Sequence, residues 1–60
     1  MDRKELKRTR IINGMTQTEM SELIGVSMNT YVNWELGANG PSEINEYRIE
    51  QAFKTLREKR

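Results

Sequence analysis

The chain has 60 residues, a formal net charge of +1, no cysteine and no histidine. So short a chain closes only a marginal core, so one domain over 1–60 that gains from oligomerisation is expected. Disulfide frameworks, thiolate and imidazole metal sites, and Ser-His or Cys-His nucleophile pairs are excluded, so no enzymatic activity, cofactor or small-molecule substrate is expected.

Charge is uneven along the chain. Arg3, Lys4, Lys7, Arg8 and Arg10 stand against Asp2 and Glu5 in the first ten residues, whereas Ile11 to Tyr47 carries Glu19, Glu22, Glu35, Glu43 and Glu46 with no Lys or Arg. No apolar run approaches the roughly 20 residues that cross a bilayer, and Met1 to Glu5 lacks the apolar stretch of a signal peptide, so a cytoplasmic location without membrane contact is expected.

Taken in order, Asp2 to Asn13 reads as a first helix, capped by Asp2 and stopped by Gly14. Its core stripe is thin: Leu6 with Thr9, Arg10 and Asn13, flanked by Ile12. Thr16-Gln17-Thr18-Glu19 has the form of a capping box and opens a second helix whose apolar face is Met20, Leu23 and Ile24. Ser21 is small enough to let another helix approach. Gly25-Val26-Ser27 then makes a tight turn, with Ser27 as the cap of a third helix from Met28 to Glu35. In that helix Tyr31 and Trp34 share one side and pack, while Met28, Asn29, Val32 and Asn33 are presented on the other. Two glycines and a proline in 37–42 form a loop. A last helix starts at Ser42 or Asn45, with Ile49, Ala52, Phe53 and Leu56 as its apolar stripe. Ile44 and Tyr47 lie off that stripe, which predicts either a bend near Asn45 to Tyr47 or a second use for their face.

The run from Gly14 to Ser27, followed by Thr30-Tyr31, Trp34-Glu35 and Gly37, closely resembles the lambda repressor-like family of phage Cro and repressor domains. The resemblance extends from Leu6 to Leu56. It implies an all-α fold of four or five short helices and binding to double-stranded operator DNA as a two-fold homodimer. Residue by residue, it implies that Met28, Asn29 and Asn33 reach base edges, and Val32 shares their exposed face. Asparagine suits this role, since a carboxamide donates and accepts at once and pairs with adenine N6 and N7, while Met28 and Val32 suit thymine methyl groups. It implies that Gln17 touches a phosphate and buttresses the third helix, and that Arg10 and Glu35 form a structural ion pair. A Tyr31 hydroxyl reaching a phosphate is a further option.

The loop after the third helix often carries Lys or Arg in relatives, but here 37–42 holds none. The phosphate grip is therefore expected from Lys7, from Arg3, Lys4 or Arg8 if they face the DNA, and from Thr16, Gln17, Thr30, Asn39 and Ser42. So few cations predict weak non-specific affinity, which makes dimerisation necessary, with Ile44, Tyr47, Phe53 and Leu56 as the interface. The expected role is that of a transcriptional repressor, an autoregulator of a phage or mobile element of the Cro-like kind or of the kind encoded beside anti-CRISPR genes. The alternative is an antitoxin or another protein-interaction module of the same fold.

Overall fold

In the computed structural model, which describes residues 3–59, four helices follow one another: α1 (Arg3–Ile12), α2 (Gln17–Ile24), α3 (Met28–Leu36) and α4 (Glu43–Glu58). No strand occurs among the described residues, and the Asp2 cap lies outside them.

α1 is mostly polar and buries only Leu6. It ends where the Gly14 and Met15 amides donate to the Ile11 and Arg10 carbonyls, both at 3.0 Å. Thr16, in extended conformation, caps α2: its Oγ1 accepts from the Glu19 amide at 3.1 Å, and the Glu19 carboxylate accepts from the Thr16 amide at 2.9 Å. The two groups satisfy donors that a helix start would otherwise leave without partners. α2 then buries Met20, Ser21 and Ile24, and Leu23 is half-buried. Ser21 donates its hydroxyl to the Thr18 carbonyl at 2.8 Å, so its small side chain sits between helices without an unpaired donor.

The turn between α2 and α3 depends on Gly25, whose φ of 92° is left-handed. A β-carbon there would meet nothing within 4 Å, so the requirement for glycine is one of backbone conformation, not space. Ser27 accepts from the Thr30 amide at 3.2 Å and starts α3. Tyr31 and Trp34 are buried edge to face, with ring centroids 6.3 Å apart. An aromatic pair of this kind contributes about 1 kcal/mol beyond its burial.

Ser42 caps α4, accepting from the Asn45 amide at 3.4 Å. From Glu43 to Glu58 the sequence holds no Gly or Pro, and the helix runs unbroken for 16 residues. Of the two alternatives left open by Ile44 and Tyr47, no interruption of the helix occurs near Asn45 to Tyr47, and both side chains stand in solvent. Ile49, Ala52 and Phe53 close the core with Leu6, Met20, Ile24, Tyr31 and Trp34, and Leu56 packs against its edge. α2 rests on both α3 and α4, and α1 rests on α3. Between α1 and α4 a groove remains, lined among others by Thr9, Ile12, Phe53, Leu56 and Arg57.

Candidate nucleic-acid interface

α3 separates its two faces by burial. Tyr31 and Trp34 point inward, Met28 and Asn29 are exposed, and Val32 and Asn33 are half-buried at the margin. Asn29 and Asn33 are four positions apart, so they lie on one face about 6 Å apart along the axis. That spacing is close to two base-pair steps of about 3.4 Å. Among the described residues neither amide hydrogen-bonds within the chain, so both keep their donors and acceptor for an outside partner. Met28 is held by a bond that sequence reasoning missed: Thr18 Oγ1 donates to its sulfur at 3.1 Å, fixing a flexible side chain against α2.

Glu35, whose side chain is 5% exposed, is where the elements converge. Arg10 Nε donates to Glu35 Oε2 at 2.8 Å and Arg10 Nη2 to Oε1 at 3.2 Å, a two-point grip. Arg10 Nη1 donates to the Met15 carbonyl at 3.1 Å and so also fixes the α1–α2 loop. Gln17 Nε2 reaches Oε1 at 3.3 Å, and the Tyr31 hydroxyl donates to Oε2. Gln17 is thus linked to α3 through Glu35, and the Tyr31 hydroxyl is turned inward, away from the phosphate role open to it in the sequence. Burial raises the Glu35 pKa, but the hydrogen bonds from Arg10, Tyr31 and Gln17 and the Arg10 charge outweigh it and hold the carboxyl below its ordinary value. Burial, with the bond to Glu35, pushes the Tyr31 hydroxyl well up. At neutral pH the cluster is a charged pair with a neutral phenol donor.

The candidate phosphate ligands come from α1, from the starts of α2, α3 and α4, and from the loop after α3. Thr16 and Ser42 sit at the starts of α2 and α4, and Thr30 accepts from the Ser27 hydroxyl at 2.9 Å. Each of these three hydroxyls acts as an acceptor inside the chain, which leaves its own hydrogen to donate outward. Lys7 and Asn39 are exposed, on α1 and on the loop after α3. Arg3 has a different engagement: its Nη1 donates to the Leu36 carbonyl at 2.8 Å, and the guanidinium covers Gly37, whose φ is 80°. A cation at the C-terminus of α3 meets carbonyls that the helix leaves without partners. Nothing in the local sequence announces this contact, because it links residues 33 positions apart.

The candidate pairing residues divide. Ile44 and Tyr47 are 59% and 58% exposed, whereas Phe53 is buried in the core of a single copy and Leu56 is half-buried beside it. Phe53 packs in the core with Ile49 and Ala52 and so offers a partner little surface, and Leu56 lies at the core's edge.

Among the described residues no helix is long and apolar enough to cross a membrane. No curated protein and no solved structure matches the chain. A family model described as helix-turn-helix matches residues 6–59, which takes in the Arg10–Glu35 pair, the Gly25 turn and all of α3. The chain belongs to the lambda repressor-like helix-turn-helix family of DNA-binding domains.

Proposed function

We propose that the protein is a sequence-specific transcriptional repressor which lays α3 in the major groove of an inverted-repeat operator and binds it as a pair of identical copies. The observation that carries the reading is the pair of Asn29 and Asn33 amides, one turn apart on one face of α3 and without partners inside the chain. A protein with no outside use for them gains little from asparagine in a helix, where its propensity is poor. The major groove admits a helix and presents adenine N6 and N7 as a matched donor and acceptor.

Met28 and Val32 flank the amides and contact thymine methyl groups. Lys7, Thr16, Gln17, Thr30, Asn39 and Ser42 hold the backbone, mostly through neutral donors, and set the register of α3. With so few cations one copy binds weakly, and a second copy on the neighbouring half-site multiplies the affinity. Ile44 and Tyr47 are the copy-to-copy contacts. In the cell, the protein acts in the cytoplasm as an autoregulator of a phage or mobile element.

Selection from random duplexes tests the reading, followed by footprinting upstream of the protein's own coding region. An enriched inverted repeat, protected on both halves, is the expected result. Equal binding to random duplexes, or tighter binding to single-stranded RNA, would overturn it.

A further inference from the structure

Among the described residues, the large apolar side chains left exposed are Ile11, Ile12, Met28, Leu36, Ile44 and Tyr47. Met28 belongs to the base-reading face, and Leu36 lies beside the Arg3 contact. The other four form two patches of opposite electrostatic character. Ile11 and Ile12, 56% and 62% exposed, adjoin Lys4, Lys7 and Arg8 on the outer side of α1. Helical spacing places Lys7 one turn before Ile11 and Arg8 one turn before Ile12. Ile44 and Tyr47 lie in the acidic first half of α4, where Glu43 and Glu50 stand one turn to either side of Tyr47. Arg48 is the only base from Glu43 to Gln51, against Glu43, Glu46 and Glu50.

Residues of both neighbourhoods, though not Ile44 or Tyr47 themselves, line the groove between α1 and α4. Ile12 lines it from α1 together with Phe53 and Leu56, and Glu50 lines its continuation with Phe53 and Arg57. A molecule that carries a basic apolar strip and an acidic apolar strip on two helices flanking a groove can meet a second copy reciprocally about a two-fold axis.

We propose that two copies of the chain pair reciprocally, the basic Ile11–Ile12 face of α1 in each meeting the acidic Ile44–Tyr47 face of α4 in the other. The proposal deepens the reading of paired copies given above, and it names the surface that Ile44 and Tyr47 meet. Stable complexes bury roughly 800 Å² per partner, and reciprocal use doubles the area that one such contact covers. The charges are exposed, so their attraction is screened over about 10 Å at 0.1 M salt, and pairing weakens as salt rises. The same charges oppose the wrong register, because α1 against α1 sets cation against cation.

Sedimentation equilibrium of the full chain at micromolar concentration, at about 0.05 M and about 0.5 M salt, between which the Debye length falls from about 14 to about 4 Å, tests it without DNA, and the parent is run with duplex DNA as well. Two charge-reversed proteins are compared with the parent: Lys4→Glu with Arg8→Glu, and Glu43→Lys with Glu50→Lys. Far-ultraviolet circular dichroism verifies that each keeps its helices. Should the α4 variant lose helicity, Ile12→Ser serves in its place as a second probe of weakened pairing. The expected result is a parent that pairs more weakly at high salt, and reversed proteins that each pair at least about tenfold more weakly. An equimolar mixture of the two reversed proteins regains pairing, since each then finds its opposite. An α1-reversed protein that pairs like the parent, or a mixture of folded proteins no tighter than either alone, would overturn this contact while leaving paired copies intact. A parent that stays monomeric with and without DNA would overturn both.

Discussion

Arg10 and Glu35, 25 positions apart, are joined at two points, at 2.8 and 3.2 Å, in a pair whose side chains are only 14% and 5% exposed. This bridge fixes the end of α3 on α1. With Gln17 joining it, one carboxylate ties the end of α3 to both α1 and the start of α2.

Removing that carboxylate leaves a largely buried guanidinium and a buried phenol without their acceptor. Glu35→Ala is expected to lower stability by about 3 kcal/mol. For a domain of this size such a loss lowers Tm by roughly 10–20 °C, measured by urea and thermal unfolding. A change below about 1 kcal/mol would show the pair to be a surface ornament.

The same cluster sets a pH window. Glu35 has its folded pKa held below the ordinary 4.5, so its contribution is complete above that value and is lost as pH falls through the folded pKa. Tyr31 has its folded pKa raised above the ordinary 10.0, so its contribution is complete below pH 10 and declines as pH rises beyond it. Unfolding free energy is expected to form a plateau between these limits. In Glu35→Gln the acid limb is expected to flatten, and a limb as steep as that of the parent would assign acid loss to other carboxylates.

Gly25 and Gly37 both have left-handed backbones, yet only at Gly37 would a β-carbon meet the Arg3 guanidinium. Gly25→Ala is expected to cost about 1 kcal/mol from conformation alone. Gly37→Ala is expected to cost about 0.5 kcal/mol more, because Arg3 must leave the Leu36 carbonyl. Adding Arg3→Ala to Gly37→Ala then changes nothing further, which a double-mutant cycle by urea unfolding reads directly. Simple additivity would mean that Arg3 stabilises α3 in some other way.

Much of this was legible in the sequence because it is local. The Thr16–Glu19 box, the Gly25 turn and the Ser27 cap each lie within a few residues, and their chemistry dictates their geometry. The inward side of α3 followed from the three-residue spacing of Tyr31 and Trp34. What the sequence could not show depends on which helices meet. The Thr18 bond to Met28, the Arg3 contact with Leu36 and the inward turn of the Tyr31 hydroxyl all join residues set side by side by packing. The continuity of α4 was open for a related reason: off-stripe Ile44 and Tyr47 allowed either a bend or a second use of their face, and a segment without Gly or Pro keeps its helix and leaves them exposed.

The scarcity of cations near α3 has a thermodynamic consequence. Lys7 is the one charged residue among the proposed phosphate ligands, and Arg3 is engaged by the Leu36 carbonyl. Each neutralised phosphate contributes about −0.9 to the slope of log K against log salt, so a slope of roughly −1 to −3 per copy is expected in a binding titration across salt. A slope near −5 per copy would reveal cationic contacts that these residues do not supply.

The most direct test of base reading by α3 is competition between the selected operator and a scrambled duplex for the parent, Asn29→Ala, Asn33→Ala and the double variant. A bidentate amide–adenine contact discriminates by about 1–3 kcal/mol, so each single change is expected to reduce the operator-to-scrambled ratio about tenfold or more. The double change is expected to abolish most of the preference, with binding to scrambled DNA unaltered. A ratio that survives both substitutions in a folded protein would contradict recognition by these amides.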